Sequence, residues 1–418
     1  MPTGPATAPS QHDNDTIILP ISQDQYDEIV PSPEKMRDWI DEMYHQHPEI
    51  FPVGFERGYR FHDDRTGDKL GIRLRRITLR NGKHWTIQPS FVMPYMTALT
   101  EDIENALLLR KWSVPYWALV KIFGKDDNFW HRIEIRFGRY SIVGTTVKTV
   151  DIPTDLLADE HHEKNNGEKT YIATTVGGGC VLGAEVCMCP ATDDLKNAYG
   201  VFKEEALTVD PEYAPETVNT DGWAGTMGAW RALFVNVVLI RCFLHAWLRI
   251  RERSKNLKEK FFEVGGKVWG VYYATTRRMM GQRIRRLRDW ATKNLSGVVL
   301  EKVLDLCAKS EEWSLWYDHE NAYTTSNGLD RLMRSQNKYF DRGQHFHGGV
   351  TSSNLRSRAW AILHNYWDWS PSAVLSNEGS RCPAERLNGK RYCTGWLENL
   401  LVATSNAAPR KKPPQNPG

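Results

Sequence analysis

Asp155–Cys187, DLLADEHHEKNNGEKTYIATTVGGGCVLGAEVC, is the most informative segment because three predicted β-strands follow one another in it. LLAD is the first strand, and KTYIATTV and CVLGAEVC, which are rich in apolar and β-branched residues, are the second and third. Strands this close in sequence are expected to pair as antiparallel neighbours. The stretch therefore predicts the start of a sheet.

Helices alternate with short apolar strands downstream of this stretch. DLKNAYGVFKEEAL is a predicted helix, ETVNT the fourth strand, WAGTMGAWRALF a second helix and NVVLIRC the fifth strand. Three antiparallel strands followed by this alternation are the order of a ribonuclease-H-like domain. We therefore predict an α/β fold with a ribonuclease-H-like mixed sheet.

A long helical segment interrupts the predicted domain. Residues 248–316 carry helical periodicity without strand signals, so they are expected to form an all-helical insertion. Thr325 or Ser326 then caps a final core helix that contains Asp330. The core of the domain thus resumes after the insertion.

Smaller units are predicted on either side of this domain. Ser32 caps a helix that begins at Pro33, and Asn81-Gly82 is a hairpin turn signal between two β-like runs. The predicted division of the chain is a disordered tail (1–15), a small α+β region (16–100), a helix-turn-helix domain (101–145), the ribonuclease-H-like domain in two pieces (150–247 and 317–370), the helical insertion (248–316), a C-terminal extension (371–404) and a second disordered tail (405–418).

The predicted helix-turn-helix domain consists of Asp102–Lys111, Pro115–Phe123 and Asp127–Phe137. Gly124 breaks the second helix from the third at helix-turn-helix spacing. Base and phosphate contacts to DNA are expected from polar and basic positions on the third helix, although a bundle that only packs has the same outline. These positions are Asn128, His131, Arg132 and Arg136.

Positive charge is concentrated in the predicted insertion. The whole chain has a net charge of only +3, whereas Ala246–Trp290 contains 13 Lys and Arg against four acids. Such a concentration attracts a phosphate backbone, and a solvated helical face is the alternative interpretation. The candidate contacts to the DNA backbone are Arg277, Arg278, Arg283, Arg285, Arg286 and Arg288.

Composition and cysteine usage indicate an ordinary globular protein. The 418 residues are 41% hydrophobic and 25% charged, which allows several domains with buried cores. Seven sparse cysteines without a signal peptide predict a reducing cytoplasm, and their spacings do not favour a structural zinc site. The most apolar run, Ala232–Leu248, is interrupted by Arg241 and His245, so we expect a buried strand that leads into a helix and no membrane span.

Three acidic residues occupy the positions that a metal-dependent phosphoryl-transfer site on such a sheet requires. Asp159 ends the first strand, Asp221 follows the fourth strand, and Asp330 lies at the start of the final helix. Carboxylate oxygens are the ligands that Mg²⁺ prefers, and a pair of such ions binds both the attacking and the leaving oxygen. The pattern predicts a site for two Mg²⁺ (or Mn²⁺) ions whose acids, without metal, are strained or partly protonated.

Other acids compete for two of these positions. Glu320, in WYDHENAY, is the alternative third ligand, and Asp151 and Asp155 are weaker rivals for the first. Acids are common in this chain, so the prediction depends on their placement at strand ends and inside a helix.

The run NVVLIRCFLHAW, with Cys242 and His245, resembles the C-x-x-H feature of Mutator-like and related insertion-sequence transposases. The element Ser326-Asn327-Gly328-Leu329-Asp330 is similar to the S-N-x-x-E element around their third acid. The similarity covers roughly 155–370, and it departs from the family in having Asp as the third acid and no cysteine for an N-terminal zinc module.

The resemblance implies a DNA transposase of the Asp-Asp-Glu or Asp-Asp-Asp type. Asp159, Asp221 and Asp330 would be the catalytic triad, with Cys242 and His245 as an accessory pair near the scissile phosphate. Expected partners are double-stranded DNA, at element ends and target, and further copies of the chain in a dimer or larger assembly. The protein is expected in the cytoplasm and on the nucleoid when DNA is bound.

Further DNA contacts are expected next to the third acid. Arg331 and Arg334 would grip phosphates or form salt bridges, and His345 and His347 would line the DNA channel. The alternatives from other classes are a repressor or domesticated transposase without catalysis and a structure-specific nuclease with the same fold.

Overall fold

A computed structural model describes residues 16–66, 70–94, 96, 98–342 and 345–405. Over these residues the protein is a mixed α/β fold with two mixed sheets. The predicted disordered tails at 1–15 and 406–418 lie outside the described residues.

The N-terminal region is a four-stranded sheet with two helices. Its elements are β1 (Thr16–Leu19), α1 (Gln23–Ile29), α2 (Pro33–Gln46), β2 (Tyr59–Thr66), β3 (Arg73–Leu79) and β4 (His84–Pro89). The order is β1-β4-β3-β2, with β1 parallel to β4 and the other pairs antiparallel. Ser32 caps α2, and the hairpin between β3 and β4 turns at Gly82, which has a φ of 84°. Both features were predicted.

A helical segment follows this sheet. It consists of α3 (Thr100–Lys111), α4 (Tyr116–Phe123), α5 (Asp127–Arg136) and the short α6 (Ile142–Thr146). Asp126 begins α5 by accepting a hydrogen bond from the backbone N–H of Phe129 (2.8 Å). The three helices predicted here are therefore present, with the break at Gly124 between α4 and α5.

The larger sheet has five strands. Its elements are β5 (Asp155–Asn165), β6 (Glu168–Gly177), β7 (Cys180–Cys187), α7 (Thr192–Val209), β8 (Thr217–Thr220), α8 (Ala224–Leu233) and β9 (Val238–Arg241). The order is β7-β6-β5-β8-β9, in which β5 is central, antiparallel to β6 and parallel to β8. Each predicted strand exists at its expected place.

The first strand is longer than its apolar run. β5 continues past Asp159 to Asn165, where Asn165 pairs with Glu168 of β6. The sequence LLAD predicted only four residues because the continuation EHHEKN is polar. Four of those six polar positions are in fact buried, with His161 and Glu163 each only 4% exposed.

The insertion is all-helical, as predicted. It consists of α9 (Phe243–Ser254), α10 (Glu259–Tyr272), α11 (Arg277–Asn294), α12 (Gly297–Ala308) and α13 (Ser310–Ser314). Its apolar core is separate from that of the sheet and includes Trp247, Val268, Ile284, Val303 and Trp313. The run that we expected to be a buried strand leading into a helix is β9 followed by α9.

The chain ends in α14 (Asn327–Arg342), α15 (Val350–Tyr366), α16 (Pro371–Ser376), α17 (Pro383–Asn388) and α18 (Trp396–Ala403). α14 packs along β5, α15 covers β7, and α18 packs against β1 and α3. The placement of Ser405 in a disordered tail was wrong. Its hydroxyl accepts a hydrogen bond from the Ile18 N–H (2.8 Å) and donates one to the Ile18 carbonyl (3.1 Å).

Two buried arginines connect elements from different parts of the chain. Arg358 on α15 is 1% exposed, pairs with Glu185 (2.8 Å) and Glu205, and donates to the carbonyls of Gly138 (3.0 Å) and Tyr140 (2.8 Å). In the same way, Arg110 on α3 pairs with the fully buried Glu134 of α5, which also accepts from Tyr339 on α14. One apolar cluster includes residues of the N-terminal sheet, α3, α5, β5, β6 and α14.

None of the helices in the described residues combines the length and the apolar character needed to cross a membrane. The seven cysteines, all within those residues, form no disulfide.

Candidate metal centre

Asp159, His245 and Asp330 come together although they are far apart in the sequence. One side-chain oxygen or nitrogen from each of them lies within 4.8 Å of the others. Asp159 lies on the central strand β5, His245 on the first helix of the insertion, and Asp330 in the first turn of α14. Two carboxylates and an imidazole at this separation are a donor set that suits a divalent cation.

The local structure explains why these side chains converge. Side chains of β5 alternate between the two sheet faces, so Asp159 points to the same face as Leu157. Leu157 packs in the same apolar cluster as Leu329 of α14, which brings the next residue, Asp330, over the strand. The backbone N–H of Asp330 donates to the carbonyl of Ser326 (2.9 Å), so the carboxyl lies in the first helical turn.

Asp221 lies beside this group but is turned toward an arginine. It follows β8, the parallel neighbour of β5, and its carboxylate accepts from the Trp223 N–H (2.7 Å). The other oxygen lies 3.5 Å from the guanidinium of Arg249 on α9. Asp221 is therefore outside the group of donors within 4.8 Å.

Burial and negative charge act together on Asp159. Desolvation and then the charge of Asp221 raise its pKa to about 6, with a smaller contribution from Asp330. A raised pKa of Asp159 is what we expected where several acids are crowded together. A cation bound between them would offset both effects.

His245 responds to the same charges in the opposite direction. Burial by itself would lower its pKa, but the contacts with Cys242, Asp159 and Asp330 outweigh burial and raise the pKa to about 9. The charges that crowd the two acids therefore favour a proton on this ring, which a bound cation would displace.

Ser326 connects the C-x-x-H pair to the third acid. Its hydroxyl lies 3.2 Å from the Cys242 sulfur, 3.3 Å from His245 Nδ1 and 3.5 Å from Asp330 Oδ2. Its backbone N–H also donates to the Cys242 sulfur (3.2 Å). The sequence suggested Ser326 as a helix cap and as the first residue of the S-N-x-x-D element, but it predicted no contact with Cys242 or His245. The signal available there was its position four residues before Asp330, which places the two side chains on one face of a turn.

Two further residues near the site were missed by the sequence analysis. Glu160, on the opposite face of β5 from Asp159, is 6% exposed and accepts from Tyr199 and Thr226 (2.7 Å each). Burial raises its pKa to about 7. Arg249, the partner of Asp221, lies four residues after His245 on α9, a spacing that places both on one helix face.

The rival acids lie elsewhere. Glu320 is exposed and outside the donor group, so the structure brings Asp330 and not Glu320 to Asp159. Asp151 is exposed, and Asp155 accepts a hydrogen bond from Thr217 at the start of β8 (2.5 Å). Neither belongs to the group.

The predicted DNA-contacting positions on α5 are divided between surface and interior. Asn128 and Arg132 are exposed, whereas His131 and Arg136 are half-buried. His131 lies 3.4 Å from the hydroxyl of Tyr116, and burial lowers its pKa. A cleft of about 680 Å³ opens beside them, lined by Arg110, Pro115, Tyr116, Trp117, Asp127, His131, Phe346, His347, Ser352, Ser353 and Arg356.

The arginines of α11 also fall into two groups. Met280, Ile284, Leu287 and Ala291 form the buried stripe of this helix. Arg277 pairs with Asp318, and Arg283 donates to the carbonyl of Gly270, so both are used within the insertion. The other exposed members are Arg278, Arg285, Arg286 and Arg288.

The four DNA contacts predicted near the third acid also lie in different environments. Arg331 and Arg334 are exposed on α14. His347 lines the cleft beside α5, whereas His345 contacts Glu163 on β5.

No model of a known protein family matches the chain, and a search of curated proteins gives no match either.

Proposed function

We propose that the chain is a DNA transposase that hydrolyses a phosphodiester at the ends of a mobile element and then joins the freed ends to target DNA. The observation that carries the proposal is the placement of Asp159 on the central strand of a β7-β6-β5-β8-β9 sheet, with Asp330 beside it across an all-helical insertion. This strand order, with an acid after the adjacent parallel strand, is what a ribonuclease-H-like nucleotidyl-transfer domain requires.

Asp159 and Asp330 would hold divalent cations, Mg²⁺ or Mn²⁺, with Asp221 as the further ligand after it leaves Arg249. The donor chemistry fits, because the acids are crowded enough to raise the pKa of Asp159 to about 6. Bound cations would supply Lewis acidity and a lower pKa for a water molecule.

The chain's own residues position the reacting groups. Ser326 fixes the orientation of His245 and Asp330, and Arg249, when Asp221 turns away, becomes free to hold a phosphate of the bound DNA. In the first step, water oxygen bonds to phosphorus and the 3′-oxygen of the element end leaves with a proton. In the second, that 3′-hydroxyl bonds to a target phosphorus and displaces a target 3′-oxygen.

DNA would be held at two further places. The exposed polar side chains of α5 are candidates for contacts to the element end, and the exposed arginines of α11 are candidates for backbone contacts. Both ends of an element must be held at once, so we expect at least a dimer on DNA.

The test is an in vitro cleavage and joining assay. The protein is incubated with Mg²⁺ or Mn²⁺ and a duplex that carries an inverted repeat from the DNA flanking its gene. Nicked and joined products are expected from the wild type. Asp159→Asn, Asp221→Asn and Asp330→Asn should each lower the rate of nicking by about 10²-fold or more while DNA binding is retained. The exposed Glu320→Gln is the matched control and should retain activity.

Other outcomes identify the rival functions. Nicking without joining would favour a structure-specific nuclease, and binding without any product would favour a repressor or a domesticated transposase. Loss of activity in Glu320→Gln but not in Asp330→Asn would show that the third ligand has been wrongly assigned.

A further inference from the structure

A second cluster of metal-ligating side chains lies at the other end of β5. One donor atom each from Glu163, Asp341 and His345 lies within 4.8 Å of the others. His345 Nδ1 contacts Glu163 Oε1 and lies 3.7 Å from Asp341 Oδ1. Glu163 is buried on the strand, Asp341 is exposed near the end of α14, and His345 lies in the loop after that helix.

Two buried polar atoms at this cluster have no hydrogen-bond partner among the described residues. They are His161 Nε2 and Glu163 Oε2, which lie 3.7 Å apart. Each side chain belongs to a residue that is only 4% exposed. Leaving polar atoms without a hydrogen bond in the interior costs free energy. Two such atoms that face each other, His161 Nε2 and Glu163 Oε2, therefore point to a ligand that both could bind.

The loop that carries His345 is held in place by backbone hydrogen bonds. The Phe346 N–H donates to the Lys164 carbonyl (3.0 Å), and the Asn166 N–H donates to the Phe346 carbonyl (3.0 Å). This pairing extends the end of β5 by one short bridge. His345 itself has a φ of 68°, a conformation that is costly for a residue with a side chain. The donors are therefore held together before any ligand arrives.

We propose that this cluster is a second divalent-cation site with Zn²⁺ as the preferred ion, in which Glu163, Asp341 and His345 are ligands and His161, which lies outside the group of donors within 4.8 Å, becomes the fourth ligand when its ring moves toward the ion. Two imidazole nitrogens and two carboxylates are a Zn²⁺ donor set, whereas Mg²⁺ prefers oxygen ligands alone. A cation would replace the direct contact between His345 and Glu163 and would satisfy both unpaired atoms.

The site would be structural and separate from the candidate catalytic centre. Glu163 lies four residues beyond Asp159 on the same strand, a distance of about 13 Å along an extended chain. Asp341 lies eleven residues beyond Asp330 on α14, about 16 Å along a helix. A cation here would fasten α14 to β5 at the end opposite the catalytic acids and thereby fix the position of Asp330.

The proposal can be tested without any catalytic assay, and it does not depend on the proposed function. The full-length protein is stripped with a chelator and titrated with Zn²⁺ by calorimetry, and with Co²⁺ by visible absorption. The wild type should bind Zn²⁺, and Co²⁺ should give the intense bands of a four-coordinate site. His345→Ala and Asp341→Asn should each weaken this binding by at least tenfold.

Two control variants test whether the metal binding belongs to this cluster. Asp159→Asn removes a ligand of the catalytic centre, and His347→Ala removes an exposed histidine two residues from His345, so both should retain the Co²⁺ bands. Asp341 is exposed, so its amide variant should fold even if His345→Ala does not. The proposal is wrong if the wild type shows no such bands, or if Asp341→Asn binds as tightly as the wild type.

Discussion

Ser326 is a single residue that connects parts of the site from different elements. Its hydroxyl lies within hydrogen-bond distance of groups on Cys242, His245 and Asp330. A C-x-x-H spacing alone says nothing of this contact, because the serine comes from beyond the insertion. The accessory pair is thereby tied to the helix that carries the third acid.

Ser326→Ala should lower the rate of DNA nicking by about 10- to 100-fold while costing only about 1 kcal/mol of unfolding free energy. Loss of the hydroxyl should change the orientation of His245 and Asp330 more than it changes the packing of the protein core. Cleavage kinetics and urea denaturation measure the two quantities. Ser335→Ala, on the exposed face of the same helix, is the control and should change neither. Equal activity in both variants would refute a positioning role for Ser326.

Glu160 should make the protein less stable as the pH rises. Its folded-state pKa of about 7 lies above the ordinary value of 4.5, so between these values the unfolded state has released a proton that the folded state still holds. This contribution to stability is complete below pH 4.5 and is lost as the pH passes 7.

Glu160→Gln should remove that dependence, since the amide is neutral throughout and its oxygen can still accept from Tyr199 and Thr226. Relative to the wild type, the variant should gain about 2 to 3 kcal/mol between pH 5 and pH 8. Urea denaturation in the presence of a chelator measures the difference at both pH values. The exposed Glu204→Gln should show no such gain, and an identical pH profile for wild type and Glu160→Gln would contradict the assignment.

At the scale of elements, β5 and α14 together define the candidate site. Both carry polar side chains at two points along their contact, Asp159 with Asp330 and Glu163 with Asp341. On the opposite face of β5, the first positions are buried, whereas His162 and Lys164 near the end of the strand are exposed. Two polar clusters on one strand explain why the sequence shows so short an apolar run there.

Much of the larger sheet could be predicted from the sequence, whereas the details of the site could not. The order of strands and helices after Asp155 follows from local periodicity, which a single sequence displays directly. The length of β5, the Ser326 contacts and the Asp221–Arg249 pair depend on neighbours that are distant in the chain. The parallel pairing of β1 with β4 was missed for the same reason, because TIIL alone does not show its partner.

The exposed arginines of α11 should control the salt dependence of DNA binding. Replacing the four of them, Arg278, Arg285, Arg286 and Arg288, by glutamine should reduce the slope of log K against log salt by up to about 3 to 4, because each lost phosphate contact releases about one counterion less. Fluorescence anisotropy over a range of NaCl concentrations measures the slope. In contrast, Arg283→Gln should mainly destabilise the insertion, since Arg283 bonds to Gly270. An unchanged slope in the fourfold variant would exclude α11 from the interface.

At the scale of the whole molecule, Arg358 connects regions that the sequence analysis treated as separate domains. Its guanidinium bonds to α7, to β7 and to the backbone that follows α5. α15 can approach this backbone closely because residue 138 is a glycine. A Cβ at Gly138 would lie 1.9 Å from the Leu355 carbonyl oxygen. The segment that contains α3, α4 and α5 is thereby joined to the larger sheet through buried charge.

Arg358→Met should destabilise the protein by about 3 to 5 kcal/mol, because two buried carboxylates, Glu185 and Glu205, lose their common cation. Guanidinium denaturation followed by circular dichroism measures the loss. The exposed Arg139→Met is the matched control and should change stability by less than about 0.5 kcal/mol. A loss of similar size in both variants would show that Arg358 has no special role.

The hydrogen bonds between Ser405 and Ile18 have a consequence for association with other molecules. β1 is an edge strand of its sheet, and the Ser405 hydroxyl bonds to both backbone groups of Ile18. An open strand edge offers such groups to strands of other chains. The serine therefore helps to protect this sheet from edge-to-edge pairing and aggregation.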